Sequence, residues 1–339
     1  MTDVAVVILN WNGRSFLEEY LPSVISNSGN AQIIVADNGS TDNSCEYLSI
    51  NFPTVQQIHL DKNYGFCGGY NRALKQVQSN YYILLNSDVK VTKNWIDPLY
   101  QLMQSDPKTG ACQPKILTAK IPDEFEHAGA AGGFIDTLGY PFCRGRLFQS
   151  REKDTGQFND TRPIFWATGA CLMIRAQLFH ESGGLEENFF AHMEEIDLCW
   201  RLKNRGQKIM YVGSSTVYHL GGGTLPKSNP RKTFLNFRNG LVLLYKNLPS
   251  HILLPLIIGR MMLDGIAFVD FLLVGYPKDA FAVFRAHMSF YWKIRTWHNC
   301  RKAARKNVVN DQHLEVYKGS VVWEHFVLKK KKVSELGIH

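Results

Sequence analysis

Four short apolar runs, VAVVIL (4–9), QIIVAD (32–37), QQIHL (56–60) and YYILLN (81–86), alternate with segments of helical character near 14–27, 42–50 and 67–79. Strand–helix alternation of this kind predicts a parallel sheet with helices on both faces. Each run stops at polar or glycine-rich residues: NWNG (10–13), DNGSTD (37–42), DKNYGFCGGYN (61–71) and NSD (86–88). Open α/β sheets bind ligands beyond the carboxyl ends of their strands, so these four loops are expected to meet at one crevice. Taken alone, an Asp after a strand is ordinarily a turn residue or a helix cap. Convergence of four such loops raises Asp88 above that reading.

Composition narrows the class. With 339 residues, 45% hydrophobic and 20% charged, the chain can build a large core. The net charge of +8 is uneven: residues 1–250 carry 24 basic against 23 acidic side chains, and 251–339 carry 14 against 7. Positive charge confined to the C-terminal end fits an anionic membrane surface better than nucleic acid, which is not expected as a partner. Seven cysteines without a CxxC pair point to a reduced compartment, with most thiols acting as small apolar groups. The N-terminus enters VAVVILN directly, with no basic segment before it, and reads as a first strand of a cytoplasmic protein.

Between about 110 and 165 the pattern loosens, and HAGAAGGFIDTLGYPFCRGR (127–146) reads as irregular connections and an acceptor-side loop. FWATGACLMIR (165–175) is strand-like, EEIDLCWRLKNRG (194–206) is a helix ended by Gly206, and KIMYVGSSTVYHL (208–220) reads as paired short strands. Residues 252–275 are apolar enough for a membrane but carry Arg260, Asp264 and Asp270, which fall within an arc of roughly 120° on a helix. A one-sided polar stripe fits an interfacial, monotopic helix better than a span. The alternative is a helical hairpin packed on the catalytic domain or on a second copy of the chain, a homodimer. Basic clusters at 293–306 and 328–332 and the aromatics of MSFYWK (288–293) suit an anionic leaflet.

The motifs VVILNWNG, VADNGSTDNS, NYGFCGGYNRAL, LLNSDV, ATGACLMIR, FFAHMEEIDLCWRLK and VYHLGGGT occur in an order that resembles family 2 glycosyltransferases, and within them the bacterial rhamnosyltransferase-like branch. The resemblance covers roughly residues 4–225. It implies the GT-A fold, a Rossmann-like mixed sheet with helices on both faces. It divides the chain into a catalytic domain over 1–225, with a nucleotide-sugar half to about 110 and an acceptor half from 111, and a helical, basic, membrane-associated extension over 226–339.

A nucleotide-diphosphate sugar leaves behind a charged diphosphate, which a divalent cation (Mg²⁺ or Mn²⁺) held by carboxylate and phosphate oxygens neutralises. By resemblance Asp88 and His219 hold that metal. Asn86 stands where the family often has a second acid, a departure that bears on the shape of the site. The donor is assigned to Asn10, Asp37, Asn63, Gly69, Asn71, Asn86 and Ser87, with Asp37 reading the nucleobase edge and Asp42 capping the next helix. Glycines 65, 68 and 69 are expected in a tight loop, with the helix starting near Tyr70. Inverting transfer needs a base for the acceptor hydroxyl. Glu195 aligns with the family's catalytic Asp, and Glu194 and Gly169 flank it on the acceptor side. Asp197, about 200° around the helix from Glu195, is expected to pair with Arg201 at i+4 instead. The leading expectation is an inverting, metal-dependent transfer of a sugar, with rhamnose favoured by the branch, onto a saccharide or lipid-linked saccharide at the cytoplasmic face of a bacterial inner membrane. The alternative is a nucleotide-sugar-binding or scaffold protein of the same fold without catalysis.

Overall fold

A computed structural model describes residues 3–126, 129–221 and 229–338. The elements run β1 (Val4–Asn10), α1 (Arg14–Asn27), β2 (Gln32–Asn38), α2 (Ser44–Asn51), β3 (Gln56–Leu60), α3 (Gly65–Leu74), β4 (Tyr81–Asn86), β5 (Val89–Val91), α4 (Asp97–Ser105) and β6 (Thr109–Thr118). There follow β7 (Gly133–Asp136), β8 (Pro141–Cys143), β9 (Arg146–Leu147), β10 (Ser150–Arg151), β11 (Thr161–Ile164), β12 (Cys171–Arg175), α5 (Ala176–Glu181), α6 (Glu194–Asn204) and β13 (Lys208–His219). The C-terminal part holds α7 (Pro230–Asn247), α8 (Ser250–Leu273), α9 (Pro277–Trp292), α10 (Ile294–Ala304) and β14 (Val316–Tyr317).

The main sheet has the order β11-β13-β6-β12-β4-β1-β2-β3, with β5 pairing on β13. β1 to β4 pair in parallel, while β12 runs antiparallel between β4 and β6, so the sheet is mixed. Both faces are covered, which explains why the strands read as unbroken apolar runs. Ala5 and Val7 of β1 face α3, through Tyr70, Ala73 and Leu74. Val4, Val6 and Ile8 face α1 and α4, through Leu17, Leu21 and Leu99. The register sets Asn10 beside Asp37, Asp37 beside His59, and Leu9 beside Asn86, so the strands end together at one edge.

Four expectations are corrected. α3 starts at Gly65, and Gly68 and Gly69 lie inside it; a Cβ on Gly69 would come within 2.8 Å of Leu9 and 3.0 Å of Asn38, so this glycine serves close helix–strand packing. KIMYVGSSTVYHL is one strand, because the GSS segment is absorbed as a bulge between Val212 and Thr216 while β6 continues as partner. The strand-like segment 165–175 is regular only over Cys171–Arg175. The stretch read as irregular holds a small sheet, β10-β9-β8-β7-β14, whose strands of two to four residues are too short to show a period.

β14 joins that sheet beside β7, so residues 316–317 return to pair with residues 135–136. α9 packs on α7 and α8. The expected polar stripe of α8 faces inward at two of its three positions: Arg260 and Asp264 are buried, joined at 2.8 Å, with Tyr140 and His287 on Asp264. Asp270 is exposed. Turning the charges inward leaves Leu254, Met262, Ile266 and Leu273 at 64–82% exposure.

Candidate active site

The turn leaving β4 carries Asn86, Ser87 and Asp88, and the end of β13 brings His219 against it through pairing with β5. Asp88 Oδ1 lies 3.1 Å from His219 Nε2, and Asp88 Oδ2 accepts the Gly221 amide at 3.2 Å. The Asn86 side-chain amide stands 3.3 Å from the same imidazole nitrogen. On its far side His219 Nδ1 is 3.5 Å from Glu126 Oε2. Burial alone would push the imidazole down, but the hydrogen bonds and charges of Asp88 and Glu126 raise it to about 10. For Asp88 burial acts upward, yet the His219 contact and the Gly221 amide hold it below its usual range. Two carboxylates thus favour positive charge at this point. One carboxylate and one imidazole are a donor set for a divalent cation, which would take the place of the imidazole proton. The glycine run beyond Gly221 lies outside the described residues.

Asp37 is buried at the end of β2, where its Oδ1 accepts from Asn10 Nδ2 and its Oδ2 from the Ser40 amide, both at 3.0 Å. Asn10 is buried and holds Asp37 through Nδ2, which also donates to Ser40 Oγ at 3.2 Å. Asp42 accepts the Ser44 amide at 3.1 Å at the start of α2 and also the Arg14 amide, which ties two loops together. Asn63 Oδ1 accepts the Gly65 amide at 2.7 Å and the Asn38 side chain at 3.2 Å. Asn71 departs from its expected role: it is buried, with Nδ2 donating to the Leu185 carbonyl at 2.8 Å and Oδ1 accepting the Leu185 amide at 2.9 Å. Both polar ends are used to dock α3 on the segment before α6, which leaves none for a donor. Ser87 is half-buried between its two neighbours.

Glu194 and Glu195 open α6. Burial drives both carboxyls up; backbone hydrogen bonds, among them one from Gly169, limit Glu195 to about 7, whereas Glu194, repelled by Glu195, is held well above its usual range. A carboxyl near 7 can take a proton at neutral pH. The Asn86 backbone amide donates to the Ala170 carbonyl at 3.0 Å, so the Asp88 turn and the Gly169 segment lie side by side. Asp197 is buried and bonded to Arg201 Nε at 2.8 Å, as the i+4 spacing predicts, and also to Lys246 and Asn247 of α7.

Glu126, Arg238, Asn239 and Lys246 carry no motif signal. Phe190, His192 and Met193 take positive φ of 68–72°, a strained path for bulky residues. Asn239 Nδ2 donates to the carbonyls of Phe189, Ala191 and His192 at 2.8–3.2 Å, and Arg238 donates to those of Asn188 and Phe189 at 3.0 Å. α7 therefore clamps the turn that aims α6. Only apolar periodicity was available to find it, and that does not single out polar anchors.

A family model described as glycosyl transferase family 2 matches residues 5–183. The chain is 29% identical over 239 residues to an N-acetylglucosaminyl-diphospho-decaprenol L-rhamnosyltransferase of Mycobacterium tuberculosis, covering 65% of this chain and 76% of that one. It is 26% identical over 216 residues to the low-salt glycan biosynthesis hexosyltransferase Agl10 of Haloferax volcanii, covering 62% and 64%. Among solved structures, GalNAc-T7 with UDP, GalNAc and Mn²⁺ superposes with a TM-score of 0.56 at 17% identity, over 73% of this chain and 48% of that one. Mannosyltransferase PcManGT from Pyrobaculum calidifontis, in complex with GDP-Man and Mn²⁺, gives 0.50 at 14% identity, over 90% and 86%. These two likenesses establish the GT-A fold.

Proposed function

The chain belongs to glycosyl transferase family 2 and is a glycosyltransferase, and from that premise we propose an inverting, metal-dependent transfer of a sugar from a nucleotide-diphosphate donor to a lipid-linked saccharide. The observation that carries this reading is that the Asp88 turn, which also holds His219, and the raised carboxyl of Glu195 are both tied to the Gly169–Ala170 segment, through the Asn86 amide and a Gly169 backbone hydrogen bond. Asp88 and His219 would hold a divalent cation, which when bound offsets charge on the leaving diphosphate. Glu195 takes the proton of the acceptor hydroxyl as that oxygen bonds to the anomeric carbon and the bond to the donor phosphate breaks on the opposite side. Asp37, oriented by Asn10 and Ser40, meets the nucleobase edge.

Rhamnose and a diphospho-lipid acceptor are supported by the mycobacterial relative, whose name states both. The acceptor's lipid calls for a bilayer. Among the described residues Ser250–Leu273 is the one helix long and apolar enough to cross a membrane, and 17% of its most apolar window is buried. Its inward Arg260 and Asp264 favour lying on a membrane surface over spanning. The exposed Phe281, Phe284 and Trp292 of α9 extend the apolar face, and Arg295 and Lys302 of α10 are exposed cations for anionic lipid.

The test is thermal stability of purified protein with UDP, dTDP and GDP nucleotides, with Mg²⁺, Mn²⁺ or chelator. A nucleotide at a hundred times its Kd adds about 2.7 kcal/mol. One nucleotide stabilising only with metal is the expected result; stabilisation indifferent to chelator would remove the metal from the reading.

A further inference from the structure

Asp37 and His59 are register partners at the carboxyl ends of β2 and β3, and Cys45 reaches them from the first turn of α2. One ligand atom of each lies within 4.8 Å of the other two, and Cys45 Sγ is 3.7 Å from His59 Nδ1. With metal–sulfur near 2.3 Å and metal–nitrogen near 2.05 Å, a tetrahedral zinc site sets its sulfur and nitrogen about 3.6 Å apart. The thiol and imidazole already stand at that spacing. The Asp37 carboxylate needs to close by little more than about an ångström to complete three ligands.

The surroundings are those of a site and not of a chance meeting. Asn10 and the Ser40 amide each hold one Asp37 oxygen, the outer support that fixes a ligating carboxylate. Cys45 is half-exposed and His59 exposed, so an ion can enter from solvent. Five of the other six thiols are buried, and only Cys300 is as accessible. Sulfur, nitrogen and one carboxylate suit Zn²⁺, whereas Mg²⁺ prefers an all-oxygen set. This site is therefore chemically distinct from Asp88 and His219.

We propose that Asp37, Cys45 and His59 bind a thiophilic divalent cation such as Zn²⁺, and that an ion bound there excludes the donor nucleotide from its base-binding end of the crevice. On loading, the Cys45 S–H bond breaks, the sulfur bonds the metal and the proton leaves to solvent. The second half rests on the proposed function, since it needs Asp37 to meet the nucleobase; the first half does not.

Cobalt is the probe for the first half. The full chain, stripped with chelator and titrated with Co²⁺, develops a thiolate-to-cobalt charge-transfer band that saturates at one equivalent. Cys45→Ser abolishes the band, and His59→Ala, at an exposed position that cannot threaten folding, weakens cobalt binding 10–100-fold, roughly as loss of site support does. No band at saturating Co²⁺, or one undiminished in Cys45→Ser, overturns the site. For the second half, one equivalent of Zn²⁺ cancels the nucleotide-induced thermal shift measured with Mg²⁺ in the wild type and leaves it intact in Cys45→Ser. An undiminished wild-type shift overturns the exclusion. If no nucleotide stabilises the zinc-free protein, it is the donor reading that fails, and the cobalt band still decides the site.

Discussion

Glu194 and Glu195 are neighbours in sequence with separate fates: burial raises both, but the charges of Glu195 and Asp197 raise Glu194 further, while backbone hydrogen bonds, one from Gly169, hold Glu195 lower. As the proposed base, Glu195 works ionised, so turnover is expected to rise with pH and pass half its limit near pH 7, where its raised pKa puts it; a kcat profile checks this. Glu195→Gln lowers kcat by roughly 10²-fold or more and leaves nucleotide affinity nearly unchanged. The same raised pKa disfavours the folded state above the unfolded pKa, so Glu195→Gln also raises the melting temperature at pH 8 relative to wild type and does little at pH 5. Asp88→Ala removes the metal-dependent part of nucleotide stabilisation, read as a shift that no longer differs between Mg²⁺ and chelator. As candidates, Asp88, His219 and Glu195 were legible because each stands in a motif at an element's end. Asn71 and Gly69 stand in an equally good motif yet face inward, since α3 begins five residues earlier than its glycines imply.

α7 is the element that the motifs omit and the site depends on. Its Asn239 and Arg238 hold carbonyls of the turn with positive φ before Glu194, and its Lys246 and Asn247 hold Asp197 within α6. Asn239→Ala takes the donor from the Ala191 and His192 carbonyls, a loss of about 1–3 kcal/mol in stability, and lowers kcat more than nucleotide affinity. Asp197 is held near 2, since the charges of Lys246 and Arg201 outweigh the upward push of burial. Its stabilisation is present above the unfolded pKa of roughly 3.9 and is lost as pH falls towards 2. Asp197→Ala leaves Lys246 and Arg201 short of a buried partner and costs about 3 kcal/mol in denaturant unfolding at pH 7. The i+4 spacing announced the Arg201 contact; the Lys246 contact spans 49 residues, and local spacing carries no information at that range.

At the scale of the molecule, the C-terminal helices turn paired charges inward and an apolar surface outward. Met262→Glu combined with Leu273→Glu is expected to abolish co-sedimentation with anionic vesicles while nucleotide-induced stabilisation persists. Period and punctuation determined the strand–helix alternation, the loops at the strand ends and the residues with chemistry to offer, because burial on two faces and the sharp exit of a strand are local demands. What tertiary structure alone decided was the company those residues keep: the insertion of β12 against β4, Glu126 behind His219, and α7 behind the turn that precedes Glu194. It also decided which way the charges of α8 point, since a stripe that could face water is satisfied equally by Tyr140 and His287. Partners distant in the chain are chosen by packing, and no periodic pattern encodes them.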